Sequence, residues 1–358
     1  MTAAEKKALR AHTGRMSVPP LLLTAGLAIL LVLSVIVSLA FGSERLPLGD
    51  VFGAVRARVF GGATPSFVID SIVWELRLPR ALLAAIAGAG LAIAGAAMQT
   101  LVRNPLADPY LLGVSSGASV GATAVLTTGA LSGLGVYALS GGALLGALAA
   151  SFAVFFIASA QGGLTPLRLV LSGVVLSAAF SAMSSFLVFL SPEPRAAESV
   201  MFWLLGSVAG ATWVKLPFVF VIVALALVSL LAIHGWLDAM SAGEETAHSL
   251  GVPVRGLRIS LFVLQAVTVG AVVAVAGGIG FSGLIAPHLA RLVVGARHRV
   301  MLPVAALGGA LFVVLVDTIS RVLVSPQEMP LGVVTGIVGA PVFLILMGRA
   351  RYSFGGQN

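Results

Sequence analysis

The sequence predicts an all-α, polytopic membrane protein with about ten transmembrane helices. Three observations carry that prediction. Uncharged apolar runs recur along the chain, beginning with Val18 to Phe41, which holds no Asp, Glu, Lys or Arg. A bilayer core about 30 Å thick is crossed by about 20 apolar helical residues, so that run can span alone. The 358-residue chain is 59% hydrophobic and only 9% charged, with a mean hydropathy of +1.08. Soluble domains are about 45–50% apolar and about 25% charged. Finally, the charges that exist are gathered in the short gaps between the runs.

Segment 1–17 carries Lys6, Lys7, Arg10 and Arg15 ahead of the first run. A secretory signal has the same order of features, but its apolar core is about 7–15 residues. The longer run here reads as a retained anchor with its basic leader in the cytoplasm. Nine more spans are expected near 79–101, 110–130, 135–159, 168–190, 213–233, 258–275, 280–296, 300–318 and 331–348. The transmembrane region is thus 18–348, and 349–358 is a short tail. An even number of spans puts both termini on one side. With that side inside, 13 of the Lys and Arg residues are cytoplasmic and 8 are external, the bias that orients membrane proteins.

Between the first two spans, Gly42 to Leu78 mixes charges of both signs. It reads equally as a linker lying on headgroups or as a docking surface. Within the spans, Gly113/Gly117/Gly121, Gly142/Gly146, Gly206/Gly210 and Gly332/Gly336 have the small-xxx-small spacing that lets helix backbones approach. Asn104-Pro105, Asp108-Pro109, Ala286-Pro287 and Ala340-Pro341 are expected to interrupt helices. Broken backbone at membrane depth is tolerated only where protein or a water-filled cavity covers it.

Several chemistries are disfavoured. There is no cysteine, hence no disulfide or thiolate chemistry. The net charge of +8 reflects topology rather than nucleic-acid binding. Gly113-Val114-Ser115-Ser116-Gly117 matches a nucleophile elbow, but it opens an apolar helix rather than a strand-to-helix turn. Gly278 to Gly283 matches GxGxxG without a preceding strand, and Arg297 and Arg299 stand where an acidic residue is needed. No phosphate-binding Gly-x-x-x-x-Gly-Lys-Ser/Thr exists. The histidines (His12, His234, His248, His288, His298) mostly fall near span ends without metal-ligand spacing, and His288 reads as a satisfied helix-end residue. Ion-coupled carriers keep ionisable groups deep in their spans. The nearest candidate is Asp317, and Arg321 one turn later makes a local structural pair the simpler account. Energy for pumping is therefore expected from another chain.

The most polar cytoplasmic gap is Asp238 to Arg258. On a helix, Glu244 and Glu245 share a face with His248, while Met240, Ala247 and Leu250 supply an apolar side. Gly251 and Pro253 then stop it. Anionic lipid repels Glu244 and Glu245, which favours contact with a soluble protein.

Four stretches carry a resemblance over nearly the full length: RLPRALLAAIAGAGLAIAGAAMQTLVRNPLADPYLLGVSSGASVGA (77–122), SAGEETAHSLGV (241–252), GGIGFSGLIAPHLARLVVGARHR (277–299) and EMPLGVVTGIVGAPVF (328–343). They resemble the permease subunits of type II ABC importers for iron-siderophores, haem and cobalamin, the FecCD/cobalamin-permease family. The resemblance implies the type II ABC importer permease fold in a bacterial inner membrane. Two copies would surround a central pathway, with two cytoplasmic ATPases below and a substrate-binding protein docked outside. It implies a permease rather than an enzyme, working by alternating access. The chain would bind no cofactor of its own, since ATP and Mg2+ sit on the partner ATPase. Ferric siderophore is the expected cargo, with haem or cobalamin as alternatives. An ion-coupled secondary transporter is the competing reading from another class.

The same resemblance assigns residues. Arg77, Arg80 and Arg321 match outward arginines that pair with glutamates of the binding protein. Gly243 to Val252 would be the coupling helix seated in the ATPase, with Gly243, Glu244, Glu245, His248, Leu250 and Gly251 at the contact. Leu164, Thr165 and Pro166 fall in the loop that forms a cytoplasmic gate, where proline stiffens the turn. Ser115, Ser116 and Ser119 would line the pathway or bond neighbouring helices.

Overall fold

The computed structural model describes residues 19–42, 44–62 and 66–349. The basic leader expected at 1–17 and the tail beyond 349 lie outside them. Every predicted span meets a helix. The first is α1 (Pro20–Ala40), and residues Phe67–Leu101 then form one continuous helical path. That path is α3 (Phe67–Ser71), a π-helical stretch (Ile72–Arg77) and α4 (Leu78–Leu101). α6 (Ala138–Ala160), α7 (Pro166–Leu190), α12 (Val254–Ala276) and α14 (His298–Val322) are also of spanning length. A further span is bent by 65° between α9 (Leu216–Ala232) and α10 (His234–Ala242).

Three apolar helices are shorter: α5 (Val114–Thr128), α13 (Ser282–Val294) and α15 (Leu331–Arg349). At 1.5 Å per residue, α5 is about 22 Å long and cannot cross a bilayer core alone. Irregular backbone with one 3-10 turn (Pro109–Leu112) precedes α5, non-helical backbone precedes α13, and the two stretches lock together. The Tyr110 hydroxyl donates to Ile279 O and accepts from Ile279 N, both at 3.1 Å. Gln265 of α12 donates to Pro109 O at 2.7 Å. Gly283, at the start of α13, packs against Pro109 and against Leu91 O, near the midpoint of α4. The breaks therefore lie at mid-depth of the bundle, with their polar groups covered by protein. Asn104-Pro105 and Asp108-Pro109 do interrupt the chain as expected. Pro287 and Pro341 instead lie inside α13 and α15, where packing of neighbouring helices tolerates the lost hydrogen bond.

α4 is the pillar of the core, buried along almost its whole length. Glycine makes the close approaches. A Cβ at Gly121 would lie 1.9 Å from Gly142 O, and one at Gly117 2.4 Å from Gly146 O, so α5 and α6 interlock along their predicted motif. Gly88 meets Gly309 in the same way between α4 and α14. Gly206 and Gly332 are also close-packed, whereas Gly336 faces open space and Gly210 meets only the end of the Lys215 side chain.

Of the two readings of the Gly42 to Leu78 region, the solvated linker does not hold, because its described residues carry folded elements. α2 (Leu48–Phe60) buries Val51 and Ala54 with Leu39, Ala40 and Val73 in a small separate core. Arg58 pairs with Asp70 at 2.8 Å, tying α2 to α3. That pair holds the Arg58 guanidinium above its ordinary pKa, through the hydrogen bond and the charge of Asp70. The mixed charges seen in the sequence are partly this internal pairing.

Candidate functional site

One end of the bundle carries the predicted coupling segment. After α10, Gly243 turns the chain at φ +134, a conformation that favours glycine, into α11 (Glu244–Ser249). Gly251, at φ +76, ends it: Gly251 N donates to His248 O and Val252 N to Ala247 O, both at 2.9 Å. This is a Schellman stop, which satisfies the last carbonyls of the helix. Ala247 and Met240 are buried as expected, but Leu250 is 68% exposed. The apolar side is thus split, part anchoring α11 and part offered outward. Glu245 and His248 are exposed beside Leu250. Glu244 instead accepts from Arg258 of α12 at 2.7 Å.

Above α11 opens a cleft of about 500 Å³. Glu244, His248, Arg255 and Arg258 line it together with Ser159, Leu164 and Thr165. The predicted gate loop therefore faces the predicted coupling helix. Gly162 and Gly163, at φ +105 and +114, make the turn after α6. Thr165 then caps α7, accepting from Arg168 N at 3.4 Å, and Pro166 takes the first helical position. Proline here starts a helix, so it fixes the C-terminal side of the loop and leaves the glycines as its pliable half.

A second tie at this end was not foreseen. His298, buried at the start of α14, meets Asp238 Oδ1 through Nδ1 at 2.6 Å and through its backbone N–H at 2.8 Å. Its Nε2 lies 2.9 Å from Thr100 Oγ1 of α4. α10, and with it α11, is thereby fastened to both core helices. Gln99 and Arg291 are bonded nearby. His288, read as a satisfied helix-end residue, is buried within α13 with no hydrogen-bond partner for Nε2 among the described residues.

The opposite end holds Arg77, Arg80 and Arg321. They are only 8%, 9% and 3% exposed, and each is held by bonds within the chain. Arg80 pairs with Asp317 and with Glu328, both at 2.8 Å, and Arg321 pairs with Asp317 at 3.0 Å. The local Asp317–Arg321 pair read from the sequence is thus present. Arg77 donates to Leu39 O at 2.7 Å and Glu44 O at 2.6 Å, and Arg321 donates to Phe41 O at 2.9 Å. The carbonyls left open at the C-terminus of α1 are finished by side chains from other helices. Glu328, with its side chain 35% exposed, is where this cluster reaches the surface.

Of the pathway candidates, Ser119 bonds a neighbouring helix: its hydroxyl meets Ser184 of α7 at 3.0 Å, with Thr123 joining at 2.8 Å. Ser115 and Ser116 are half-buried on the first turn of α5. A stripe that went unread is Ser177, Ser181 and Ser185 on α7, of which Ser181 and Ser185 are exposed. Spacing of four residues puts these hydroxyls on one helix face, and that periodicity was the available signal.

Comparison with known proteins joins these observations. The model of the FecCD transport family matches residues 30–349. A cobalamin import system permease protein of Halobacterium salinarum is 44% identical over 276 residues, covering 77% of this chain and 73% of the relative. A hemin transport system permease protein of Yersinia pestis is 42% identical over 288 residues, 78% of this chain and 84% of the relative. A solved ABC transporter described as metal-chelate type, in an inward-facing conformation, superposes with a TM-score of 0.80 at 35% identity. That match covers 91% of this chain and 99% of the other. With its apolar helices, its broken spans and its α11 end in place, the chain belongs to the FecCD transport family, as a multi-pass membrane permease of the ABC importer type.

Proposed function

We propose that two copies of this chain form the pathway of an inner-membrane importer that takes up an intact iron chelate, a ferric siderophore. The observation that carries the mechanism is the shared cleft: α11 and the loop at Leu164 and Thr165 both line it. A soluble ATPase gripping Glu245, His248 and Leu250 would move α11 against that loop. Glu244 passes the displacement to α12 through Arg258, and the glycines at 162 and 163 let the loop yield. ATP and Mg2+ belong to that partner, and the α11 end faces the cytoplasm with both termini.

The binding protein would dock at the opposite end. Arg77, Arg80 and Arg321 brace that surface from beneath, and meet partner carboxylates only by exchanging bonds they already hold. The exposed hydroxyl stripe of α7 suits a pathway face between copies, because a polar row is costly against lipid. The cargo reading draws on relatives named for cobalamin and hemin and on a solved transporter described as metal-chelate type. What these share is a metal carried inside an organic ligand, which needs a weakly binding conduit and no metal ligands of the conduit's own.

The test is uptake into proteoliposomes holding this chain with its ATPase and binding protein. Radio-iron as ferric siderophore should accumulate only with ATP and all three components. Accumulation driven by an ion gradient through this chain alone would overturn the importer mechanism. Accumulation of haem or cobalamin in place of siderophore would overturn the cargo alone.

A further inference from the structure

At the arginine end, three helices leave a groove on the outer wall of the bundle. α6, α9 and α12 converge there, and the groove has a volume of about 290 Å³. Its walls are Leu144, Phe218, Ala274 and Val275, apolar and open to the surroundings. At its mouth stand Tyr137, 49% exposed, and Lys215. The Lys215 ammonium donates to Gly210 O at 3.1 Å and pairs with no carboxylate among the described residues.

Two observations fix the level of this mouth. Trp213 donates to Trp74 O at 2.9 Å, and their rings lie 5.4 Å apart, two residues from Lys215 and just before Arg77. Trp and Tyr concentrate where hydrocarbon meets headgroups. An aromatic belt, a lysine free of carboxylates and an apolar slot below it lie in the order of a phospholipid's own parts.

We infer that this groove holds an anionic phospholipid, its acyl chain between α6, α9 and α12 and its phosphate at the Lys215 ammonium. The chain segment supplies affinity by apolar burial, and Lys215 supplies the choice of headgroup. A second copy of the protein is disfavoured as occupant, since a helix laid into the slot would bury the Lys215 charge without a partner. The inference is independent of the cargo and of the ATPase.

Native mass spectrometry of the full chain released from nanodiscs tests it. The nanodiscs contain equal amounts of phosphatidylglycerol and phosphatidylcholine with identical acyl chains. The wild type should retain phosphatidylglycerol about five-fold over phosphatidylcholine, the effect of one cation near an anionic lipid. Lys215→Gln should bring that ratio to about one, and Lys215→Arg should restore it. Gly141→Leu lies on the helical wall of the groove, beside Leu134. It should fill the slot and reduce retention of both lipids. Equal retention by the wild type, a preference surviving Lys215→Gln, or retention untouched by Gly141→Leu would each overturn the site. A cross-link between two copies through Ser140→Cys would do so as well.

Discussion

The two ends of the molecule use the same chemical pair, arginine with carboxylate, and use it differently. At the arginine end, Asp317 is 1% exposed and its partners Arg321 and Arg80 are 3% and 11% exposed at the side chain. At the α11 end, Arg258 is 11% exposed at the side chain but its partner Glu244 is 41% exposed, so one member of the pair stays in reach of water. A buried pair cannot open without stranding charge in a low dielectric, whereas a half-exposed pair can exchange with water. The first is suited to holding helices at a fixed spacing, the second to a joint that moves in each cycle.

That contrast can be broken most forcefully at Asp317. Asp317→Ala leaves Arg80 and Arg321 without their shared buried carboxylate, and removing one member of such a pair costs about 3–5 kcal/mol. The expected outcome is a large loss of folded, monodisperse protein and a lower midpoint in thermal unfolding of the detergent-solubilised chain. Wild-type stability in that variant would remove the distinction between the ends. Next in size is an effect on function. Glu244→Lys with Glu245→Lys should abolish the coupling of ATP hydrolysis to uptake while the chain folds and inserts normally. Full coupling, measured as cargo imported per ATP in proteoliposomes, would reject α11 as the contact.

Smaller still is Arg258→Gln. Its stability cost should be smaller than that of Asp317→Ala, because the Glu244 left behind is open to water, yet transport should slow because α11 is no longer tied to α12. A stability loss as large as that of Asp317→Ala would show the two ends to be alike. The last and mildest test concerns the gate loop. Gly163→Ala places a side chain at φ +114, with an expected strain of about 1–3 kcal/mol on the loop alone. Uptake should fall with little change in the unfolding midpoint, and unchanged uptake would remove the loop from the mechanism.

The helices were legible because a bilayer imposes a simple rule, a long apolar run without charge. α1 was expected at 18–41 and forms Pro20–Ala40, and α7 was expected at 168–190 and forms Pro166–Leu190. α11 and its stop were legible from Gly251 and Pro253, whose backbone preferences act locally. The state of the arginines was not. Arg80 finds Asp317 at a separation of 237 residues, and Arg77 bonds a carbonyl, which no side-chain pattern announces. The folding of Gly42 to Leu78 was hidden for a related reason. Arg58 and Asp70 pair at a separation of 12 residues, and in one dimension their charges look like a solvated linker. The tie of His298 to Asp238 and Thr100 likewise joins three distant parts of the chain.

The end of α1 is completed by Arg321, which follows Phe41 by 280 residues. A ribosome delivers the chain from its N-terminus, so α1 waits for α14 before its open carbonyls are closed. Nascent chains halted before α14 should hold α1 loosely and expose it to quality-control proteases, making this contact a checkpoint on synthesis through α14.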